Sequence, residues 1–225
     1  MKPRELLGAA PVPGGGSELR LYRRGDEFSI LIGGVELMTS RAAGSEEALA
    51  RLACERIAGR PCPTMLIGGL GMGFTLRAAL SALPPEAQVT VAELVPAVVA
   101  WARGPLAALH AGALDDPRVA LLEEDVARTI ECGRAAWDAI LLDVDNGPGG
   151  LSLESNDRLY APAGLRAARA ALRPGGILAI WSSHPDAAFT RRLRTEGFKV
   201  EEVPARSAGR KGARHHLWFA AAPGR

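Results

Sequence analysis

The chain has 225 residues, 48% of them apolar, and a formal net charge of only +2. That length supports one α/β domain with a full core, or such a domain plus a small appendage, and the near-balanced charge excludes nucleic acid or a membrane surface as the main partner. Cys54, Cys62 and Cys132 are irregularly spaced and fit neither a disulfide framework nor a metal ligand set, so they read as buried free thiols of a reducing, cytoplasmic protein.

Residues 1–17 carry basic residues but no continuous apolar stretch, so no signal peptide is expected; ending in the cluster Pro11–Gly16, they read as a loose arm. Three strand-like runs follow, Leu19–Arg23, Phe28–Ile32 and Val35–Thr39, with Gly25-Asp26 and Gly33-Gly34 between them as hairpin turns. Ser45 reads as a helix N-cap, with Glu46 and Glu47 in a first turn where the dipole favours anions. That helix runs to about Ile57 and stops at Gly59-Arg60-Pro61. The expected division is therefore 1–60, an arm with hairpins and a helix, and 61–225, a nucleoside-binding catalytic domain.

From residue 64 strands and helices alternate. Thr64–Ile67, Gln88–Ala92, Arg118–Leu122, Trp137–Leu142 and Gly176–Trp181 are apolar runs of strand length. Phe74–Leu83, Val95–Leu109, the shorter Val126–Cys132 and Tyr160–Leu172 have helical spacing. Such alternation predicts a parallel sheet covered on both faces. Phe198–Val203 and His216–Ala221 add two strands joined by a basic stretch. No run approaches the roughly 20 apolar residues of a membrane span.

The strongest local signal is the run Met65-Leu66-Ile67-Gly68-Gly69-Leu70-Gly71-Met72-Gly73-Phe74, a strand entering glycines and then a helix. Glycines there let the backbone turn sharply and approach a ligand. The dinucleotide spacing G-x-G-x-x-G fails because Phe74 stands where the third glycine belongs. Gly69, Gly71 and Gly73 instead give G-x-G-x-G, a spacing associated with adenosyl-sulfonium ligands. Glu93 closes the second strand at the same sheet edge, where a carboxylate can accept from both ribose hydroxyls. Asp125 closes the third and reads equally as an acceptor for an adenine amino group or as a plain N-cap; Leu94 and Val126 adjoin these two acids in the same expected cofactor-binding set. Asp143 and Asp145 close the fourth, so four successive strands bring glycines or carboxylates to one carboxyl edge.

With these residues in place, the chain resembles the spermidine synthase-like group of the class I S-adenosylmethionine-dependent methyltransferase superfamily over about residues 28–182. The stretches GGVELM, LIGGLGMG, VTVAEL, DDPRVALLEEDVA, WDAILLDVDNGP and LYAPAGLRAARAALRPGGILAIW carry the resemblance. It implies a Rossmann-like methyltransferase fold, a seven-stranded mostly parallel sheet with helices on both faces, after a small N-terminal β-hairpin region. It also implies a nucleoside pocket at Gly68, Gly69, Gly71, Gly73, Glu93 and Asp125, with Asp143 as proton acceptor. The departures are specific: Gly71 stands where polyamine-forming members carry Asp, Asp143-Val144-Asp145-Asn146-Gly147-Pro148 replaces D-S-S-D-P, and the Tyr of the helix after the hairpins is absent from SEEALARL.

Transfer from a sulfonium is a displacement at the carbon attached to sulfur, and an amine acceptor must be deprotonated to attack. Asp143 is the expected base, with Asp145 as electrostatic partner and no metal; Glu154 and Asp157 would suit a cationic acceptor or belong to a solvated loop, the latter being the reading for Glu154. Because the polyamine loops are altered, methyl transfer from S-adenosylmethionine to a small molecule, an amine by this chemistry, is favoured. Aminopropyl transfer from decarboxylated S-adenosylmethionine and non-catalytic nucleoside binding are the alternatives. The basic segment 206–216 reads as a solvated loop, or as a contact for an anionic acceptor or RNA; at most one of His215 and His216 can face the site, and His184 reads as part of a polar turn ahead of a catalytic role. The N-terminal hairpins can either pair two copies as a homodimer or cap the site.

Overall fold

The computed structural model describes residues 3–13, 17–144, 147–148, 156–209 and 212–224. Two sheets share one core. The first is antiparallel in the order β1 (Glu5–Pro11), β2 (Glu18–Arg24), β3 (Glu27–Ile32), β4 (Val35–Thr39). Alternation in β2 turns Leu19 and Leu21 inward and leaves Glu18 and Arg20 in solvent. The arm expected to be loose is largely a strand: β1 pairs with β2 from Glu5 opposite Arg23 to Pro11 opposite Glu18, with an irregularity between Leu6 and Gly8. Its Gly8-Ala9-Ala10 centre has little strand propensity, which hid it. Gly8 is needed because a Cβ there would lie 2.5 Å from Trp101 Nε1.

The second sheet has seven strands in the order β10-β11-β9-β8-β5-β6-β7. Its parallel part is β5 (Thr64–Gly68), β6 (Gln88–Ala92), β7 (Val119–Leu122), β8 (Trp137–Leu142) and β9 (Leu172–Ser182). β10 (Lys199–Arg206) and β11 (Arg214–Ala221) complete it as an antiparallel pair, with β11 against β9. This is the expected Rossmann-like class. Successive residues of each strand feed opposite layers: Met65 and Ile67 join the core beneath the first sheet and the helices α1 (Gly44–Arg56), α2 (Phe74–Ala82) and α3 (Pro96–Arg103). Leu66, Ile140, Leu142 and Trp218 join the core beneath α5 (Val126–Cys132), α7 (Pro162–Ala171) and α8 (Ala187–Thr195).

Several boundaries move for identifiable reasons. The helix expected over Val95–Leu109 breaks at Gly104-Pro105 into α3 and the short α4 (Ala107–His110), since proline supplies no N–H to continue the ladder. Tyr160–Leu172 divides into α6 (Asp157–Tyr160) and α7, which restarts with Pro162 in its first turn; Leu172 already belongs to β9. α8 has no counterpart among the expected elements. Asp186 caps it by accepting from the amides of Ala188 and Phe189, and Phe189, Thr190 and Leu193 anchor it. Ser45 does not cap α1, whose N-cap is Ala43; its fully buried side chain turns towards β11 instead. The cysteines are free, but only Cys54 is buried, while Cys62 and Cys132 lie at the exposed ends of elements. Among the described residues no helix is long and apolar enough to cross a membrane.

Opposite the glycine edge, Asp138 ties the sheet's base together. It is 1% exposed and accepts from Arg60 Nη1 at 2.6 Å, Arg173 Nη1 at 2.8 Å and the Thr64 amide at 2.8 Å. Removing it strands the half-buried Thr64 N–H, whereas the two arginines, each partly exposed, can rehydrate. Asp138→Ala is expected to cost about 2–3 kcal/mol in denaturant unfolding, below the 3–5 kcal/mol of a fully enclosed pair. A loss under about 0.5 kcal/mol would show the cluster to be dispensable.

Candidate functional site

The site begins where the sheet's hydrogen bonding runs past the strand ends. The amide of Gly69 donates to Ala92 O at 2.9 Å, that of Asp143 to Gly68 O at 3.0 Å, and that of Glu93 to Leu122 O at 2.9 Å. These bonds set the glycine loop, Glu93 and Asp143 in one register at the carboxyl edge, where the strand order reverses about β5. Gly69 has φ +88°, and a Cβ there would sit 2.4 Å from the carbonyl oxygen of Asp143, so only glycine allows this approach. Gly73, φ +79°, opens α2 directly against the His110 ring. Gly68 packs under Val126 and does not line a cavity itself.

Two adjoining cavities open on this edge. The first is walled by Ile32, Leu94, Val95 and Val126, with Glu93 and Asp125 at its polar end. Glu93 is 7% exposed; its Oε2 accepts from Leu70 N at 2.9 Å and its Oε1 from Val95 N at 2.8 Å. Burial pushes its carboxyl up, against the pull of those amides. The amides of Gly71 and Leu94 pull in the same direction. Asp125 forms the N-cap of α5, its Oδ1 accepting from Ala127 N at 2.8 Å, while Oδ2 pairs with Arg158 of α6. Of its two expected roles the N-cap is thus formed, and the same side chain also lines the cavity.

The second cavity shares Leu37, Met38, Gly71, Asp143 and Val144 with the first. Its wall adds Glu46 from the start of α1, Trp181 from the end of β9 and His215 from β11. Asp143 Oδ2 accepts from Thr75 Oγ1 at 2.6 Å, and burial lifts its carboxyl to about 6. Burial, then the negative charge of Asp143, lifts Glu46 to about 7. Glu46, Ser45 and Thr75 escaped the sequence reading: helix-dipole and capping roles accounted for the first two, and Thr75 looked like ordinary helix filling. Asp145 and Glu154 lie outside the described residues; Asp157 is exposed on α6. Of the two neighbouring histidines His215 faces the cavity, while His216 lies 3.0 Å from Glu202 Oε2 on β10. His184 sits in a turn, its Nδ1 2.8 Å from Ser183 Oγ. The basic segment, as far as it is described, folds back on α1: Ser207 O accepts from Gly44 N at 2.8 Å.

No family model matches the chain. It is 36% identical over 156 residues to polyamine aminopropyltransferase 2 of Pseudomonas aeruginosa, covering 64% of this chain and 42% of that protein. It is 31% identical over 193 residues to the polyamine aminopropyltransferase of Mycobacterium tuberculosis, covering 81% of this chain and 35% of that protein. The chain therefore spans less than half the length of these relatives. Spermidine synthase from Thermotoga maritima has the same fold, with a TM-score of 0.76 over 96% of this chain and 72% of that one at 18% identity. The resemblance to the spermidine synthase-like group is shown by these relatives and this fold.

The buried carboxyls make stability depend on pH. With folded values raised above the ordinary 3.8 and 4.5, Asp143 and Glu46 keep protons that the unfolded chain has released. Their contribution is present below about pH 4 and is lost as pH rises through about 6 and 7. Buried His110, lowered to about 4, acts in the opposite sense, its contribution being lost as pH falls below its unfolded value. The informative quantity is therefore the difference between wild type and Glu46→Gln at each pH. The variant should melt about 2–4 °C or more above wild type at pH 8 for each kcal/mol regained, and level with it at pH 4. Parallel melting curves across that range would show that Glu46 is not held protonated by the fold.

Proposed function

We propose that this chain carries the donor and acceptor sites of an aminopropyltransferase, moving the aminopropyl group of decarboxylated S-adenosylmethionine to a small amine. The observation that carries the reading is the meeting of the two cavities at Asp143: an apolar one ending in a buried Glu93, and one containing Asp143 and Glu46. A nucleoside suits the first, with adenine between Leu94, Val95 and Val126 and the ribose hydroxyls donating to the Glu93 carboxylate. A cationic amine suits the second. The altered loops favour methyl transfer on sequence grounds, but the relatives are named as polyamine aminopropyltransferases and support the alternative.

The chemistry follows from placement. An amine is protonated in water and must lose that proton before it can attack. Thr75 holds Oδ2 of Asp143, leaving Oδ1 to take the proton. The neutral amine then attacks the aminopropyl carbon in line with sulfur. A C–N bond forms, the C–S bond breaks, and its electron pair returns to sulfur, so the sulfonium leaves as neutral methylthioadenosine. Asp145, two residues on, adds negative charge to the same loop as electrostatic partner in this proposal.

Calorimetric titration with S-adenosylmethionine, decarboxylated S-adenosylmethionine and methylthioadenosine tests the donor assignment, with product analysis after adding a diamine. Tighter binding of the decarboxylated donor and release of methylthioadenosine are expected; S-adenosylhomocysteine as product would replace this reading with methyl transfer. Asp143→Asn should lower turnover about 10²–10⁴-fold while leaving methylthioadenosine affinity within about twofold. Glu93→Gln should weaken the nucleoside about tenfold or more, as expected for a lost charge-assisted hydrogen bond. Unchanged nucleoside affinity in Glu93→Gln would remove that residue from the donor site.

A further inference from the structure

We propose that Glu46 is the second acceptor-binding carboxylate of this site, paired with Asp143 around the ammonium of a linear amine, and that Ser45 and His215 position it. The inference rests on reading the second cavity as the acceptor site. Glu46 and Glu47 occupy the same first turn of α1, where either could serve the helix dipole. Glu47 does so from solvent, whereas Glu46 is drawn into the cavity. Helix stability does not require that inward turn, and placing a second carboxylate near Asp143 is unfavourable unless a cation joins them.

Among the described residues lining the cavity are three carboxylates, Glu36, Glu46 and Asp143, and no lysine or arginine. Glu36 on β4 already has a partner, Arg4, at 3.5 Å. His215 is held in the neutral direction by burial and by His184, so it leaves the charge of the other two carboxylates uncompensated. With Glu47 outside on the same helix, these are the titratable groups around Glu46. The aromatic side chains of Trp181 and Phe74 line the same space, where the methylene chain of an amine can lie.

Glu46 is also held as a binding group is held. Ser45 Oγ donates to its Oε2 at 2.5 Å, and the same oxygen lies 2.7 Å from His215 Nδ1. A hydroxyl has one proton, so with Ser45 donating to Glu46 the bond from the other side comes from Nδ1–H of His215. That ring packs edge-on against Trp181 at 4.7 Å between centroids. His215 of β11, packed on Trp181 of β9, thus fixes the Ser45 hydroxyl that in turn holds this carboxylate. When the site holds no cation, two neighbouring acids keep one proton between them, and an entering ammonium takes that proton's place. Amine binding should therefore release a proton from the pair.

The test is calorimetric titration of the full chain, saturated with methylthioadenosine, with 1,4-diaminobutane at pH 6.5 in two buffers of different ionisation enthalpy. Wild type should release up to one proton per amine bound. Glu46→Gln should lose most of that release and bind the amine at least tenfold more weakly, with methylthioadenosine affinity unchanged. Ser45→Ala and His215→Gln should weaken the amine several-fold and shift the pH dependence of its binding. They also keep the assignment testable should Glu46→Gln fail to fold. Wild-type amine affinity and proton release in Glu46→Gln, or in both positioning variants, would overturn the proposal. Turnover is scored separately: Glu46-dependent amine binding without methylthioadenosine production would count against aminopropyl transfer while supporting this assignment.

Discussion

Three backbone hydrogen bonds that run one residue past the ends of β5, β6 and β8 determine most of what this molecule can do. Through them Gly69, Glu93 and Asp143 inherit the register of a fully buried parallel sheet. Functional groups on loops are ordinarily mobile to a degree that blunts electrostatics. Here the ladder itself fixes them, and the side chains follow with little rotamer freedom left. The close approach of the Asp143 carbonyl to Gly69 belongs to the same constraint, because the two backbones can meet only if one of them has no Cβ.

The small antiparallel sheet completes the arrangement. Val12, Leu19, Leu21, Ile30 and Ile32 share a core with the helices on that face of the large sheet. Leu37 and Met38 of β4 form walls of both cavities, so the division between the two is drawn by a strand far from the glycine loop in sequence. The base of the sheet is tied by a buried ion cluster, while the described lining of the second cavity at its top places Asp143 and Glu46 together with no lysine or arginine. Stability and reactivity are thus placed at opposite ends of the same strands.

The alternating strands and the seven-stranded class were legible because buried parallel strands are short, apolar and bounded by glycine or acid, a pattern that Met65–Gly73 and Val89–Glu93 carry plainly. β1 was not, since its alanines and glycine carry no strand signal and its pairing partner supplies the reason to be extended. α8 escaped because its arginines outweigh its apolar positions, although Asp186 offered a capping signal. At the site, strand-end residues could be read from chain order alone. Glu46 could not: what distinguishes it from Glu47 is a cavity shared with Asp143 and His215, about a hundred and more positions away, and local pattern records none of that.

The segment joining β10 to β11 is bound by its Ser207 carbonyl to the first amide of α1, and His215 reaches Ser45 from the same hairpin. A Cβ on Gly44 would meet the carbonyl of Arg206 at 2.8 Å, so helix and hairpin are in direct backbone contact. The length and sequence of that turn therefore set the position of the first turn of α1, and with it the shape of the acidic cavity. Divergence in a surface hairpin more than 150 residues downstream of the cavity's second carboxylate can retune which molecules fit, while the glycine loop and its ladder stay untouched. The acidic cavity and the glycine edge can in this way vary independently within one sheet.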